Sequence, residues 1–250
     1  MTSRTAIAFA AVAGGLLWGW IGLVAAETPQ QQGDRPPGTH QDNTDGREWI
    51  RRLERPERLP GLRIDDVIAA LGLRPGMVVA DIGAGTGAFT IPFARAVSPG
   101  GTALAVDIWP ELLDFVAQKG TAAGVTTLRT VLARRDDPGL DRASLDIAFF
   151  HDVFHNMNDR PGYLRRLATC LKPGGRIAIV EQEFDDPIAK QWDRPEDRIT
   201  RAELARWMAG AGLDLEHEFD IFQGANNPNG AGMPERWFVV FRLRGAAIGS

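Results

Sequence analysis

The stretch that most constrains the fold is residues 78–90, VVADIGAGTGAFT, which combines an apolar run, one acid and three alternating glycines. The apolar residues within 77–82 predict a buried β-strand, because short β-branched runs bounded by glycine suit a strand covered on both faces. Gly83, Gly85 and Gly87 predict a tight turn in which backbone N–H groups approach a ligand without obstruction by Cβ atoms. A helical pattern then resumes, so the stretch predicts a strand, a ligand-binding turn and the start of a helix.

Strands and helices alternate along the rest of the chain. Two short helical patterns precede the stretch, at 47–60, where Pro56 breaks the helix, and at 63–73, where Gly72 ends it. Further strands are predicted at 101–108, 125–132, 144–153, 175–183, 213–222 and 236–244, and further helices at 110–124, 160–172 and 200–212. Alternating βα units predict an α/β fold whose sheet is mostly parallel with helices on both faces, and the last two strands predict an antiparallel pair at its edge.

The N-terminal 45 residues differ from the rest. Arg4 precedes an uncharged apolar stretch, 6–26, that ends in small residues, so 1–26 is interpreted as a secretory signal removed after Ala26 or as an uncleaved membrane anchor. Residues 27–45 are rich in Gln, Pro and Gly and predict a disordered linker. The protein is therefore expected to be exported, periplasmic or secreted, with a possible membrane tether and one globular domain at 46–250.

The charge composition gives no sign of nucleic-acid binding by the chain as a whole. The 28 basic and 32 acidic residues give a net charge of −4, so no excess of positive charge marks a nucleic-acid partner. The single cysteine, Cys170, lies in an apolar helical pattern and is interpreted as a packed thiol. The oligomeric state is not readable from the residues.

Two ligand classes compete for the glycine turn. Gly83, Gly85 and Ala88 satisfy the dinucleotide pattern G-x-G-x-x-G/A, which allows a nicotinamide or flavin enzyme. Asp81, at the end of the first strand, would repel a pyrophosphate and meet a cation, and S-adenosylmethionine carries a sulfonium and an ammonium group but no phosphate. Asp107 ends the second strand about 20 residues beyond the glycines, where a carboxylate accepts hydrogen bonds from ribose hydroxyls in either class. The acid at 81 therefore favours S-adenosylmethionine.

Several stretches together resemble class I S-adenosylmethionine-dependent methyltransferases over roughly 63–244. They are VVADIGAGTGAFT, ALAVDIWPELL, HDVFHNMNDRPGYLRRLATCLKPGGRIAIVE and the closing strand pair. The chain is most similar to the small-molecule branch that includes ubiquinone/menaquinone-biosynthesis and arsenite methyltransferases, and its single cysteine argues against arsenite. The resemblance implies a Rossmann-like, doubly wound, seven-stranded sheet with S-adenosylmethionine at the carboxyl ends of its first strands.

The resemblance also implies where the cofactor is held. The methionyl part would be surrounded by Asp81, Gly83, Ala84, Gly85 and Gly87, the ribose would be held by Asp107, and the adenine would pack on Ile108. The family usually has an acid after the third strand that meets the adenine amino group. This chain has Arg134 at that point, so either Asp136 or Asp137 is the candidate substitute, with Asp136 preferred, or the adenine contact is weakened.

The catalytic prediction rests on the end of the fourth strand, where the resemblance places His151 and Asp152 beside the methyl-transfer centre. His151 and His155 are the candidates for a general base if the acceptor must lose a proton, although a packing role is equally open for His155. No metal site is expected. Trp49 and Trp192 are predicted to supply aromatic walls for a small-molecule substrate, and simple packing of these side chains is the alternative. A non-catalytic binding module stays open as a second function.

Overall fold

The computed structural model describes residues 46–182, 198–224 and 235–245 of the 250-residue chain. Its helices are α1 (Gly46–Leu53), α2 (Ile64–Leu71), α3 (Thr90–Ala96), α4 (Pro110–Ala122), α5 (Arg160–Cys170) and α6 (Arg201–Gly210). Its strands are β1 (Val78–Ile82), β2 (Thr102–Asp107), β3 (Leu128–Leu132), β4 (Leu145–His151), β5 (Leu171–Gln182), β6 (Leu213–Phe219) and β7 (Arg236–Leu243). Short 3₁₀ turns lie at Pro56–Arg58, Pro60–Leu62 and Phe154–Asn156.

Some predictions fall outside the described residues. The interpretation of 1–26 as a signal or anchor, the linker at 27–45 and the substrate role of Trp192 all concern parts of the chain that the structure does not describe. Among the helices that it does describe, none has the length and apolarity needed to cross a bilayer.

The seven strands form one sheet in the order β3-β2-β1-β4-β5-β7-β6. β1 pairs in parallel with β2 and β4, and the outer pairs β2 with β3 and β4 with β5 are also parallel. β7 runs antiparallel to both of its neighbours, β5 and β6. The predicted α/β fold with a mostly parallel sheet and an antiparallel pair is therefore confirmed. Strand order reverses between β1 and β4, which is where open α/β sheets form their ligand crevice.

Local sequence signals explain most helix ends. α2 ends at Gly72, whose φ of 60° is left-handed, and α4 begins with Pro110 at its first turn. Thr200 and Glu203 form the predicted capping box at the start of α6. At α2 and α6, cap hydrogen bonds satisfy backbone groups that a helix end leaves open, whereas Pro110 has no N–H group to satisfy.

β5 begins earlier than predicted. The Pro-Gly-Gly segment suggested a turn before a strand at 175–183, yet the strand starts at Leu171, directly after α5. Leu145 of β4 pairs with Leu171, whereas Ile147 pairs with Arg176, so the register shifts across this segment. The segment is thus an irregularity inside the strand, which is a usual place for glycine in a sheet.

The core has two large apolar clusters, one on each face of the sheet, and a small third cluster in which α4 packs on β2. Successive residues of β4 point to opposite faces of the sheet. Phe149 belongs to one large cluster and Phe150 to the other. Trp237 and Phe238 of β7 divide in the same way. Both faces of the central strands are therefore covered, as continuous apolar runs predict. Cys170 is buried in one cluster, which agrees with a packed thiol.

Candidate functional site

A cleft opens at the carboxyl ends of β1, β2 and β4. Its walls come from α1, from the glycine turn after β1, and from the segments that follow β2, β3 and β4. The walls include Asp81, Asp107 and His151. Asp107 and His151 are the last residues of β2 and β4, and Asp81 is the last but one of β1. Parallel strands bring their carboxyl ends to one edge, so the sheet itself assembles these three side chains.

The glycine turn packs too tightly for side chains. Gly83 has a φ of 70°, and a Cβ added there would lie 2.4 Å from Cγ2 of Val153, in the segment after β4. Gly85 has a φ of 55°, and a Cβ there would lie 2.7 Å from Cδ1 of Leu53 in α1. Both positions therefore need glycine for its left-handed backbone and for its lack of a side chain.

The N–H groups of this turn are used differently from the prediction. Gly83 and Ala84 donate to the carbonyl oxygen of Val106 at 2.8 and 3.1 Å, and Gly85 donates to Oδ2 of Asp107 at 2.9 Å. The sequence suggested that these groups would face a ligand. Instead they join the turn to the end of β2, which leaves them unable to bind a pyrophosphate as a dinucleotide-binding turn does.

Asp81 is a buried acid beneath the start of α3. Its side chain is 4% exposed, and its Oδ2 accepts a hydrogen bond of 2.6 Å from Oγ1 of Thr90. Burial raises the pKa of Asp81 to about 7, the Thr90 bond opposes this rise, and the nearby Asp107 adds to it. The carboxyl group is therefore poised to ionise near neutral pH, and a positively charged ligand would favour the ionised form. An anion is disfavoured at this point.

Asp107 is held rigidly at the end of β2. Its Oδ2 accepts from the Gly85 N–H and its Oδ1 accepts from the Trp109 N–H at 3.1 Å. Burial raises the pKa of this carboxyl group, and the hydrogen bonds from Gly85 and Trp109 counteract the rise. Each oxygen keeps acceptor capacity beyond these bonds, so the carboxylate can also accept from two hydroxyl groups. Ile108 follows it and lines the cleft.

Asp136 does not line the cleft. Its carbonyl oxygen accepts a 2.8 Å hydrogen bond from Nη1 of Arg166, and its side chain lies in an exposed turn. Arg134 and Arg135 line this end of the cleft instead, together with Ala133. The geometry therefore gives no support to Asp136 as the substitute for the family acid, because the turn directs the two arginines to the cleft.

His151 is a neutral, buried imidazole. Its side chain is 4% exposed and its ring lies 4.9 Å from that of Phe89 and 6.1 Å from that of Phe222. Within the described residues, its buried Nε2 has no hydrogen-bond partner. Burial lowers the pKa of His151 to about 4, although the neighbouring Asp152 raises it. The ring therefore carries no charge at neutral pH, and it lines the cleft while its Nε2 is buried without a partner among the described residues.

Asp152 is committed to an ion pair. Nε of Arg236, the first residue of β7, lies 2.9 Å from both of its carboxylate oxygens, and Nη2 lies 2.8 Å from Oδ2. Burial alone would raise the pKa of Asp152, but Arg236 and His151 bring it well below its usual range. Its backbone φ of 50° is left-handed, which is uncommon for a residue other than glycine. Asp152 therefore stays ionised, and its partner Arg236 was not identified from the sequence.

His155 lies outside the cleft wall and contacts Glu181. Its Nδ1 is 2.9 Å from Oε1 of the fully buried Glu181, and its N–H donates to Oε2 of the same side chain. It does not line the cleft. The structure thus brings two of the three candidate catalytic residues together and places the third in a packing position. In the described parts of the chain, no three metal-ligating side chains cluster.

α1 closes one side of the cleft. Nζ of Lys119 in α4 lies 2.6 Å from Oε1 of Glu54, just after α1, and this ion pair fastens the helix over the glycine turn. Trp49 lines the cleft at the position where an aromatic wall was predicted. Arg58, in the 3₁₀ turn that follows, lines it as well. No sequence pattern distinguishes Arg58 from the other arginines around it.

Comparison with known proteins shows which family and which solved structures the chain resembles. Residues 80–179 match a family described as a methyltransferase domain. A solved S-adenosylmethionine-dependent methyltransferase from Aquifex aeolicus superimposes with a TM-score of 0.67 at 20% identity, over 80% of this chain and 100% of that chain. A geranyl diphosphate C-methyltransferase from Streptomyces coelicolor gives a TM-score of 0.61 at 14% identity, over 83% and 87%. Residues 80–179 are therefore similar to a methyltransferase domain, and the chain shares the fold of these two solved structures.

Two curated methyltransferases are similar in sequence to about half of this chain. A ubiquinone/menaquinone biosynthesis C-methyltransferase from Idiomarina loihiensis is 33% identical over 119 residues, which are 47% of this chain and 47% of that protein. The nocamycin O-methyltransferase of Saccharothrix syringae is 30% identical over 119 residues, 48% of this chain and 42% of the relative. The chain thus spans about half the length of the curated relatives it matches. These similarities agree with the predicted resemblance to methyltransferases over the matched residues.

Proposed function

We propose that this protein transfers a methyl group from S-adenosylmethionine to a small-molecule acceptor. The observation that carries the proposal is the position of Asp81. This buried acid lies under the start of α3, where a dinucleotide-binding enzyme would hold its pyrophosphate. A sulfonium cofactor with an ammonium group suits that point, whereas a diphosphate does not.

The remaining cofactor contacts follow from the cleft. Asp107 has acceptor capacity for the two ribose hydroxyls, and Ile108 lies beside it to pack on the adenine. Gly83 and Gly85 line the cleft and hold the turn in the left-handed conformation that places it beside the cofactor. When bound, the cofactor supplies a methyl group on a positively charged sulfur. The task left to the chain is to align an acceptor with it and exclude water.

The groups near the transfer centre favour an acceptor that needs little deprotonation. His151 is neutral and has a pKa lowered to about 4, so it can accept a hydrogen bond but is a weak base. Asp152 is held in its pair with Arg236 and acts to position neighbouring groups. Trp49 supplies an aromatic wall for the acceptor, and Trp192 is proposed for the same role on sequence grounds.

Calorimetry with the full-length chain in mild detergent tests the proposal. Binding of S-adenosylmethionine and of its demethylated product, S-adenosylhomocysteine, with no binding of NAD, is the expected result. Turnover is measured as formation of S-adenosylhomocysteine with candidate small-molecule acceptors. Binding of NAD and not of S-adenosylmethionine would instead support the oxidoreductase alternative. Cofactor binding without any acceptor would favour a non-catalytic binding module.

One neighbour of the same fold is named a [4+2]-cyclase, which shows that this fold also hosts a protein named for another reaction.

The compartment is a separate proposal. The apolar stretch 6–26 behind Arg4 supports export to the periplasm or beyond, either with removal of 1–26 or with this segment retained as a membrane tether. A reporter that is active only outside the cytoplasm, fused after residue 45, should be active. Mass determination of the mature protein distinguishes cleavage after Ala26 from retention.

A further inference from the structure

Among the described residues, three arginines line the cleft, and Arg58 is the partly buried one, whereas Arg134 and Arg135 are exposed. Arg58 lies in the cleft wall and is partly buried. Within the described residues its side chain makes a single long hydrogen bond, 3.4 Å from Nη1 to the carbonyl oxygen of Leu53. A guanidinium group has five N–H donors. Most of these donors are therefore available to a ligand in the cleft.

The acidic groups that act on Arg58 are already paired with other cations. Asp152 is held by Arg236 through three contacts of 2.8 to 2.9 Å. Glu54 is held by Lys119 at 2.6 Å. Burial lowers the pKa of the Arg58 guanidinium, and Asp152 only partly offsets this. Because both carboxylates are paired with other cations, neither is available to neutralise the charge of Arg58.

We propose that Arg58 is the receptor in this cleft for a carboxylate group. The ligands considered for Arg58 are those of the proposed methyl-transfer reaction, so this inference rests on the proposed function. A guanidinium fork matches a carboxylate with two parallel hydrogen bonds, and partial burial strengthens such a pair. Two ligands of the reaction can bring that group: the cofactor, through the carboxylate of its methionyl part, and the methyl acceptor, through an acidic group of its own. The chemistry is the same in both cases, and binding experiments separate them.

The first arm uses two cofactor analogues. S-adenosylhomocysteine carries the amino-acid carboxylate, whereas methylthioadenosine has the same nucleoside and thioether but lacks that group. If the cofactor is the source, Arg58→Gln weakens S-adenosylhomocysteine binding about 10- to 100-fold and leaves methylthioadenosine binding unchanged. Arg58→Lys, which keeps the charge and loses the fork, gives an intermediate loss. Arg55→Gln is the matched control, since Arg55 is exposed and outside the cleft wall.

The second arm uses benzoate and its neutral isostere benzamide with protein saturated with S-adenosylhomocysteine. If the acceptor is the source, Arg58→Gln binds S-adenosylhomocysteine as the wild type does but binds benzoate at least tenfold more weakly, with benzamide unaffected. Thermal unfolding of each variant verifies that it is folded.

The assignment is overturned if Arg58→Gln binds S-adenosylhomocysteine normally and benzoate does not distinguish it from the wild type. Wild-type protein that binds neither nucleoside would refute the proposed function instead. In that case the benzoate titration of the unliganded chain still decides whether Arg58 receives a carboxylate.

Discussion

Replacing Asp81 by Asn should stabilise the unliganded protein while weakening cofactor binding. The pKa of this acid rises from 3.8 to about 7 on folding because burial disfavours its charge. Folding therefore favours the protonated carboxyl group. Its contribution to the free energy of unfolding is fully present below pH 3.8 and is lost as the pH rises through 7. A rise of about three pKa units corresponds to about 4 kcal/mol at alkaline pH. Asn removes this cost and can still accept the Thr90 hydrogen bond.

Urea unfolding of both proteins at several pH values measures the effect. The stability advantage of Asp81→Asn over the wild type should grow by about 3 kcal/mol between pH 5 and pH 8. Asp114→Asn, an exposed acid on α4, is the control and should show no such growth. In calorimetry the same Asn variant should bind S-adenosylmethionine more weakly, and the wild type should release protons on binding below pH 7. An advantage that does not change with pH would refute the raised pKa and with it the electrostatic argument for a cationic cofactor.

Three further predictions concern the turn, the ribose site and the buried thiol. Gly83→Ala should cost more than about 2 kcal/mol in urea unfolding, whereas Gly124→Ala, with a φ of 67° and open space around it, should cost about 1 kcal/mol; equal costs would contradict the close packing. Asp107→Asn should raise the dissociation constant for S-adenosylhomocysteine at least about tenfold by calorimetry, and Asp114→Asn should leave it unchanged; an unaltered value for the first variant would exclude a ribose contact. Cys170 should react with Ellman's reagent only on unfolding, because burial raises its thiol pKa; fast reaction of the native protein would count against that burial.

The fold was predictable because its signals are local. Apolar runs, alternating helices and the glycine turn predicted all seven strands, and the capping box at Thr200 predicted the start of α6. The start of β5 was missed because a Pro-Gly-Gly segment has the same local chemistry whether it ends a turn or interrupts a strand. Pairing with β4 decides between these, and pairing is not local.

The site was predictable only where strand ends determine it. Asp81, Asp107 and His151 come together because parallel strands finish at one edge. Arg236 was not identified because it meets Asp152 across 84 positions of sequence, through a strand whose place in the sheet the residues do not reveal. Arg58 reaches the cleft only through the fold of the segment after α1. The use of the glycine-turn N–H groups was also missed, since it depends on the end of β2.

The position of β7 makes assembly of this protein depend on late synthesis. β7 is the last of the seven strands in chain order, yet it lies inside the sheet between β5 and β6. It supplies the fully buried Trp237 to one apolar layer and Phe238 to the other, and its first residue holds Asp152. A nascent chain that has emerged only as far as β6 therefore has an unfilled gap beside β5 and an unpaired acid in its cleft. We therefore expect ligand binding to appear only after β7 has left the ribosome and entered the sheet.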